Sequence, residues 1–256
     1  MEKKFIVIGI ISIILISTVV GIGFFFFYDD ILQEDDFEPS DNQRPYWRTF
    51  NIGTHNFSSI AYGEVNNTYF PLEIGYQIVL EGTDVEGAEI QTNITVLNQT
   101  EDIGGIETRV VEERELEDGE LIEVSYNYMA ICNETKDIIY FGELSIEYED
   151  EEIVGYGGSW RADQGINKPG ILFPGEINLG DGYYQEFAPE EALDRGRIIN
   201  TGLTYNTPVG LLHNCVVTED TTPLEPLLVE YKVYAPGVGQ IADETLVITK
   251  KGYVPV

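Results

Sequence analysis

The chain has 256 residues, with 45 acidic against 14 basic side chains, two Cys and two His. A formal charge of −31 repels phosphate backbones, and the densest basic clusters are the pairs Lys3-Lys4 and Lys250-Lys251, so no nucleic-acid partner is expected. Two Cys cannot staple a mini-scaffold, two His do not build a His-rich metal centre, and the length allows one large or two small domains.

Phe5 to Tyr28 carry no charge and are dominated by Ile, Val and Phe. As a helix this run spans ~36 Å, enough to cross a ~30 Å hydrocarbon core. Lys3 and Lys4 precede it and Asp29, Asp30, Asp35 and Asp36 follow it, so the N-terminus is expected in the cytoplasm. The run exceeds the roughly 7–15 apolar residues of a cleaved signal peptide, and neither an A-x-A site nor a lipobox Cys follows. The expectation is an uncleaved, single-pass anchor over residues 1–28, whose partner is the lipid bilayer through residues 5–28. Residues 29–44 are acidic and read as an extended spacer. Residues 45–256 would then form one extracellular domain on the cell membrane.

Five N-x-[ST] sequons begin at Asn56, Asn66, Asn93, Asn98 and Asn133. Composition alone could produce them in an Asn- and Thr-rich chain; surface glycosylation is the functional reading and requires the outer face. Cys132 and Cys215 stand 83 positions apart, and outside the cell such a pair is expected to bond, with two buried free thiols as the alternative. Closing so long a loop would stabilise by ~4 kcal/mol on the chain-entropy argument.

From Asn66 onward the apolar period is two. TRVVEERELE (108–117) and ELIEVSYNYMAI (120–131) flank Asp118-Gly119, a hairpin turn. IIYFGELSIEYE (138–149) and IVGYGGSWRA (153–162) follow as two more strands of an antiparallel meander. Residues 165–182 read as loop, and Pro189–Arg195 as one or two helical turns. Strands resume in GRIINTGLTYNT, LLHNCVVTED, LLVEYKVYA and ETLVITKKGYV. Residues 70–143 and 173–249 share segments in the same order, offset by roughly 103–106 positions, and read as two copies of one strand module. The fold class is therefore mainly β: an N-terminal transmembrane helix, then an antiparallel meander or curved sheet built from two similar halves, with little helix.

The runs YFPLEIGYQIVLEG (69–82), EDGEL (117–121), IIYFGE (138–143), KPGILFPGE (168–176), GYYQEFAPE (182–190) and YAPGVGQI (234–241) occur in that order. Together they resemble a broad family of uncharacterised secreted, lipid-tethered or membrane-anchored prokaryotic proteins, over about residues 66–250. Many of those relatives have Trp where Tyr140 stands here. The resemblance implies a β-rich fold outside the membrane and implies no reaction.

Chemistry is sparse in the sequence. Glu112-Glu113 and Glu149-Asp150-Glu151-Glu152 read as solvated hairpin tips, with an acid/base pair or a cation site as the sharper alternative. Ser159 lacks the G-x-S-x-G frame, and His55 and His213 lack ligand candidates nearby in sequence. Arg161 and Arg195 are expected to pair with carboxylates. Trp160, Tyr183, Tyr184, Tyr231 and Tyr234 either fill the core or line an apolar cleft. No catalytic residue, metal ligand or cofactor is assigned. The leading functional reading is a non-enzymatic binding or surface-structural module, its partner an apolar ligand such as a lipid or a surface protein. The alternative is a cell-surface hydrolase using a carboxylate pair. Two acids of raised pKa sharing a pocket would mark the hydrolase, and a dry aromatic concavity the carrier.

Overall fold

The computed structural model describes residues 47–256 apart from Thr54, Tyr62 and Glu190. The expected anchor at 5–28 and the spacer at 29–44 lie outside the described residues. The regular elements are all strands. They are β1 (Phe57–Ser58), β2 (Tyr76–Thr83), β3 (Glu89–Ile103), β4 (Ile106–Glu117), β5 (Glu120–Cys132), β6 (Ile138–Glu149), β7 (Glu152–Gly155) and β8 (Trp160–Arg161). Then come β9 (Lys168–Phe173), β10 (Gly182–Tyr184), β11 (Glu186–Phe187), β12 (Arg195–Thr207), β13 (Gly210–Thr222), β14 (Glu225–Ala235), β15 (Gly239–Asp243) and β16 (Leu246–Tyr253).

One antiparallel sheet runs in the order β10-β12-β13-β14-β15-β16-β2-β3-β4-β5-β6-β9-β11. Its two ends, β10 and β11, are consecutive in the chain and separated by Gln185 alone. The sheet therefore curls into a nearly closed barrel, which hides the edge groups an open sheet would present. Gly170 permits that seam, because a Cβ there would lie 2.1 Å from the Gln185 carbonyl oxygen. Gly196 does the same beside the Tyr183 ring, whose atoms would come within 2.8 Å of an added Cβ. On its free side β10 hydrogen-bonds Arg48, whose N–H donates to Gly182 O and whose carbonyl accepts from Tyr184 N–H.

Local turn chemistry sets the meander. Asp118 and Gly119 both take positive φ, 49° and 85°, as the two-residue β4–β5 turn demands. Asp150 and Glu151 repeat the conformation between β6 and β7, so the acidic run 149–152 is the solvated tip expected of it. The fourth strand of the meander is split: β7 and β8 pair separately with β6.

Two expectations fail. Residues 168–173, read as loop, form β9 despite Pro169, because that strand sits at the seam where it pairs with β6 and the two-residue β11. The described residues of Pro189–Arg195 are not helical; Glu191 and Ala192 N–H both donate to Ala188 O in a turn, Ala188 N–H returns a bond to Ala192 O, and Arg195 already begins β12. Two apolar clusters pack within and around the sheet. The larger holds Phe141, Phe173, Tyr183, Ile131 and Ile138, and the smaller holds Leu80, Val217, Ile241 and Ile248. Trp160, Tyr183 and Tyr234 are core residues, while Tyr184 and Tyr231 are half-buried.

Candidate functional site

Inside the barrel lies a cavity of about 480 Å³. Alternation along each strand decides what enters it. On β4, every second residue from the hairpin tip inward, Glu117, Glu115, Glu113 and Val111, faces the cavity. With ~3.4 Å of rise per residue, successive carboxyls on this ladder stand ~7 Å apart along the strand. The rim carries Asp84, Val85, Glu86 and Thr245 from neighbouring hairpin tips. Apolar side chains on the lining include Ile78, Ile94, Val96, Met129 and Val238, with Ile94 directly opposite Glu113 across β3 and β4. The lining also holds Glu143, Glu186, Asp194, Glu230, Lys232 and Asp243.

Among the described residues Lys232 is the only basic side chain on this lining, and three carboxylates surround it: Asp220 at 3.5 Å, Asp243 at 3.9 Å and Glu230 at 4.0 Å. Burial alone would drive its ammonium toward the neutral form; Asp243, Asp220 and Glu230 reverse that and hold it firmly protonated. Burial dominates the carboxyls of the lining. Burial pushes Glu113 up to about 8, against some help from Lys232. Glu143 also rises to about 8 through burial, with Glu123 adding repulsion. Glu115 and Glu230 reach about 7, again mainly through burial. Glu186 lies well above the ordinary carboxylate range because it is buried and faces Asp194 and Glu143. At neutral pH the cavity therefore holds several protonated carboxyls. Glu113 and Lys232 retain some accessible surface because that surface faces the cavity.

One buried polar atom on this lining, Glu143 Oε1, has no hydrogen-bond partner among the described residues. Nearby, Glu123 accepts from Ser125 Oγ at 2.7 Å and from Ser145 Oγ at 3.0 Å, and Tyr140 OH donates to Asn127 Oδ1. A buried polar group without a partner costs ~1–3 kcal/mol, so a polar ligand atom that reached Glu143 Oε1 would recover that cost.

The reading of Glu112-Glu113 as a hairpin tip is thus corrected for Glu113, which sits in mid-strand and points inward. The chain hid this because a period-two strand with Glu on one face normally turns that face to water. A signal did exist. Glu143 in YFGE, Gln185 and Glu186 in YYQE, and Val238 to Gln240 in YAPGVGQI were singled out as motifs, and all line the cavity.

Other expected site residues lie elsewhere. The Cys132–Cys215 disulfide does not form; both thiols are free and buried, Cys132 in the larger apolar cluster and Cys215 in the smaller. Opposed strands of one long sheet keep them in separate cores. Of the sequon asparagines, Asn66 and Asn98 are exposed and Asn93 is half-buried on β3. Asn56 Nδ2 donates to Glu134, and Asn133 Oδ1 accepts from Ser58 Oγ. Arg161 pairs with Glu101 and Asp163 as expected. Arg195 instead lies over the Trp47 ring, 4.5 Å from its centroid. His213 contacts Thr204 Oγ1 on the surface.

No family model and no curated protein matches the chain. Two solved structures are similar. A candidate exported protein with a YmcC-like fold from Bacteroides fragilis is 16% identical, with a TM-score of 0.38 over 73% of this chain and 99% of that one. A candidate lipoprotein from Parabacteroides distasonis is 12% identical, with a TM-score of 0.37 over 73% of this chain and 100% of that one.

Proposed function

We propose that the barrel is a non-enzymatic binding module for a small organic cation, an amine bearing an apolar segment, held outside the cell by the N-terminal anchor. The observation that carries this is the charge imbalance of the cavity: one lysine, already shared by three carboxylates, against Glu113, Glu115, Glu143, Glu186 and Asp194 with no cation of their own. Burial keeps these acids protonated, and an ammonium group would replace those protons. Ile78, Ile94, Val96, Met129 and Val238 on the same lining suit an alkyl or aryl group, and the volume falls in the range of small-molecule sites. A purely apolar lipid would leave the carboxyl wall desolvated without recompense, which disfavours the lipid expected from the sequence. The matching run of two-residue hairpins in β3–β4–β5 and β12–β13–β14 supports the reading that two copies of one module enclose the site.

Calorimetry on the full chain in detergent micelles tests the reading with dodecylamine, dodecanol and dodecanoate. Dodecylamine should bind and release protons, and Glu113→Gln should weaken it, whereas the alcohol and the acid should bind poorly. Equal binding of amine and alcohol overturns the proposal. One observation favours a second reading, hydrolysis: Glu143, at about 8, is a protonated acid available for general acid catalysis. Turnover of aryl glycosides by the wild type that disappears in Glu143→Gln would establish it. Location outside the cell is checked by intact mass from the native host, where hexose increments on Asn66 or Asn98 are the expected result.

A further inference from the structure

Away from the cavity, the short strand β1 pairs with the end of β5, Phe57 opposite Cys132, and carries the preceding segment over that strand end. Three donor atoms meet there: His55 Nδ1, Cys132 Sγ and Glu134 Oε2. Their separations are 3.6 Å from Sγ to Nδ1, 3.5 Å from Sγ to Oε2 and 3.6 Å from Nδ1 to Oε2. A tetrahedral zinc ion, with bonds of ~2.3 Å to sulfur, ~2.0 Å to nitrogen and ~2.1 Å to oxygen, requires donor separations of about 3.5, 3.6 and 3.3 Å between those same atoms. The triangle is thus already the right size for one face of the coordination tetrahedron.

The surroundings hold each ligand in place. Asn56 Nδ2 donates to Glu134 Oε1 at 2.9 Å, and the Asn56 backbone N–H reaches both carboxylate oxygens, at 3.3 and 3.1 Å. That leaves Oε2 turned toward the thiol and the imidazole. The His55 ring packs against Phe50, with centroids 5.5 Å apart. Cys132 is fully buried, whereas the His55 and Glu134 side chains are 36% and 43% exposed. The three ligands therefore close the inner side and leave the outer side to solvent.

The geometry points to a divalent transition-metal site, zinc or a metal of like preference, formed by His55, Cys132 and Glu134 with water in the fourth position. A thiolate, a carboxylate and a neutral imidazole balance the dication's charge, and binding releases the Cys132 proton. The site explains how a free thiol persists in a chain whose other features point outside the cell, since a metal-held thiolate has no need of a disulfide partner. It also ties the segment before β1 to the sheet.

Cobalt titration of the full chain in detergent micelles decides the matter. A near-ultraviolet sulfur-to-cobalt charge-transfer band should appear, saturate at one equivalent, and vanish on addition of zinc. The band should be absent in Cys132→Ser and unchanged in Cys215→Ser. His55→Gln and Glu134→Gln, both at partly exposed positions that tolerate substitution, should each weaken binding by more than the ~10-fold that losing an outer hydrogen-bond partner costs. Cobalt that binds without the band occupies surface carboxylates and overturns the inference, as does a band that survives both His55→Gln and Cys132→Ser.

Discussion

Replacing Glu113 by Gln should change how stability depends on pH. Glu113 has its folded pKa raised from 4.5 to about 8, chiefly by burial in the cavity wall. Below pH 4.5 the carboxyl is protonated in both folded and unfolded chains, so the shift has no effect. Between 4.5 and 8 the unfolded chain ionises while the folded chain keeps its proton, and each pH unit in that window removes ~1.4 kcal/mol of stability per group. Above 8 the loss is complete. The wild type should therefore be most stable near pH 5 and weaken steadily toward pH 8, with Glu113 alone accounting for a few kcal/mol of the fall. Gln cannot ionise, so the variant loses that share of the slope, and its advantage over the wild type should grow by ~1.4 kcal/mol per pH unit, or ~3–5 °C in Tm for a domain of this size. Thermal unfolding followed by near-UV circular dichroism at pH 5, 6, 7 and 8, in detergent micelles, gives the comparison directly. Parallel pH profiles for the two proteins would refute the burial of this carboxyl.

Lys232→Met should destabilise by about 3–5 kcal/mol at pH 7, because it strands Asp220, Glu230 and Asp243 without their cation, and urea titration should show the deficit shrinking at pH 5 as they protonate. Gly170→Val should open the seam, since its Cβ meets the Gln185 carbonyl; a loss of at least ~1–3 kcal/mol is expected, with faster amide exchange in β9 and β11 as the check. Alkylation of unreduced, metal-stripped, unfolded protein should add two groups per chain, one at each thiol; a mass without modification would show that the disulfide forms after all. Amine binding to the cavity should tighten as pH rises from 6 to 8, because Glu113 and Glu143 give up protons to bind the cation, and calorimetry in buffers of different ionisation enthalpy reads that release.

The elements were largely legible before any coordinates. Period-two patterning and Asp118-Gly119 define β4 and β5 within a residue or two, and the resumed strands after Gly196 lie where the apolar runs stand. β9 escaped because Pro and Gly density argues for loop, and only the need to seal the barrel makes Lys168–Phe173 a strand. Glu113 escaped for a related reason: a local pattern says which residues share a face, not which face is inside. On a flat sheet the Glu face would meet water; curling the sheet until β10 and β11 meet turns it inward. Charge, acidity, the candidate anchor and the strand periodicity are properties of neighbouring residues, so the sequence alone determined them. The carboxyl cavity and the His55–Cys132–Glu134 cluster join residues dozens to more than a hundred positions apart. Their meeting depends on sheet order and closure, which are long-range choices, and these only the tertiary structure decided.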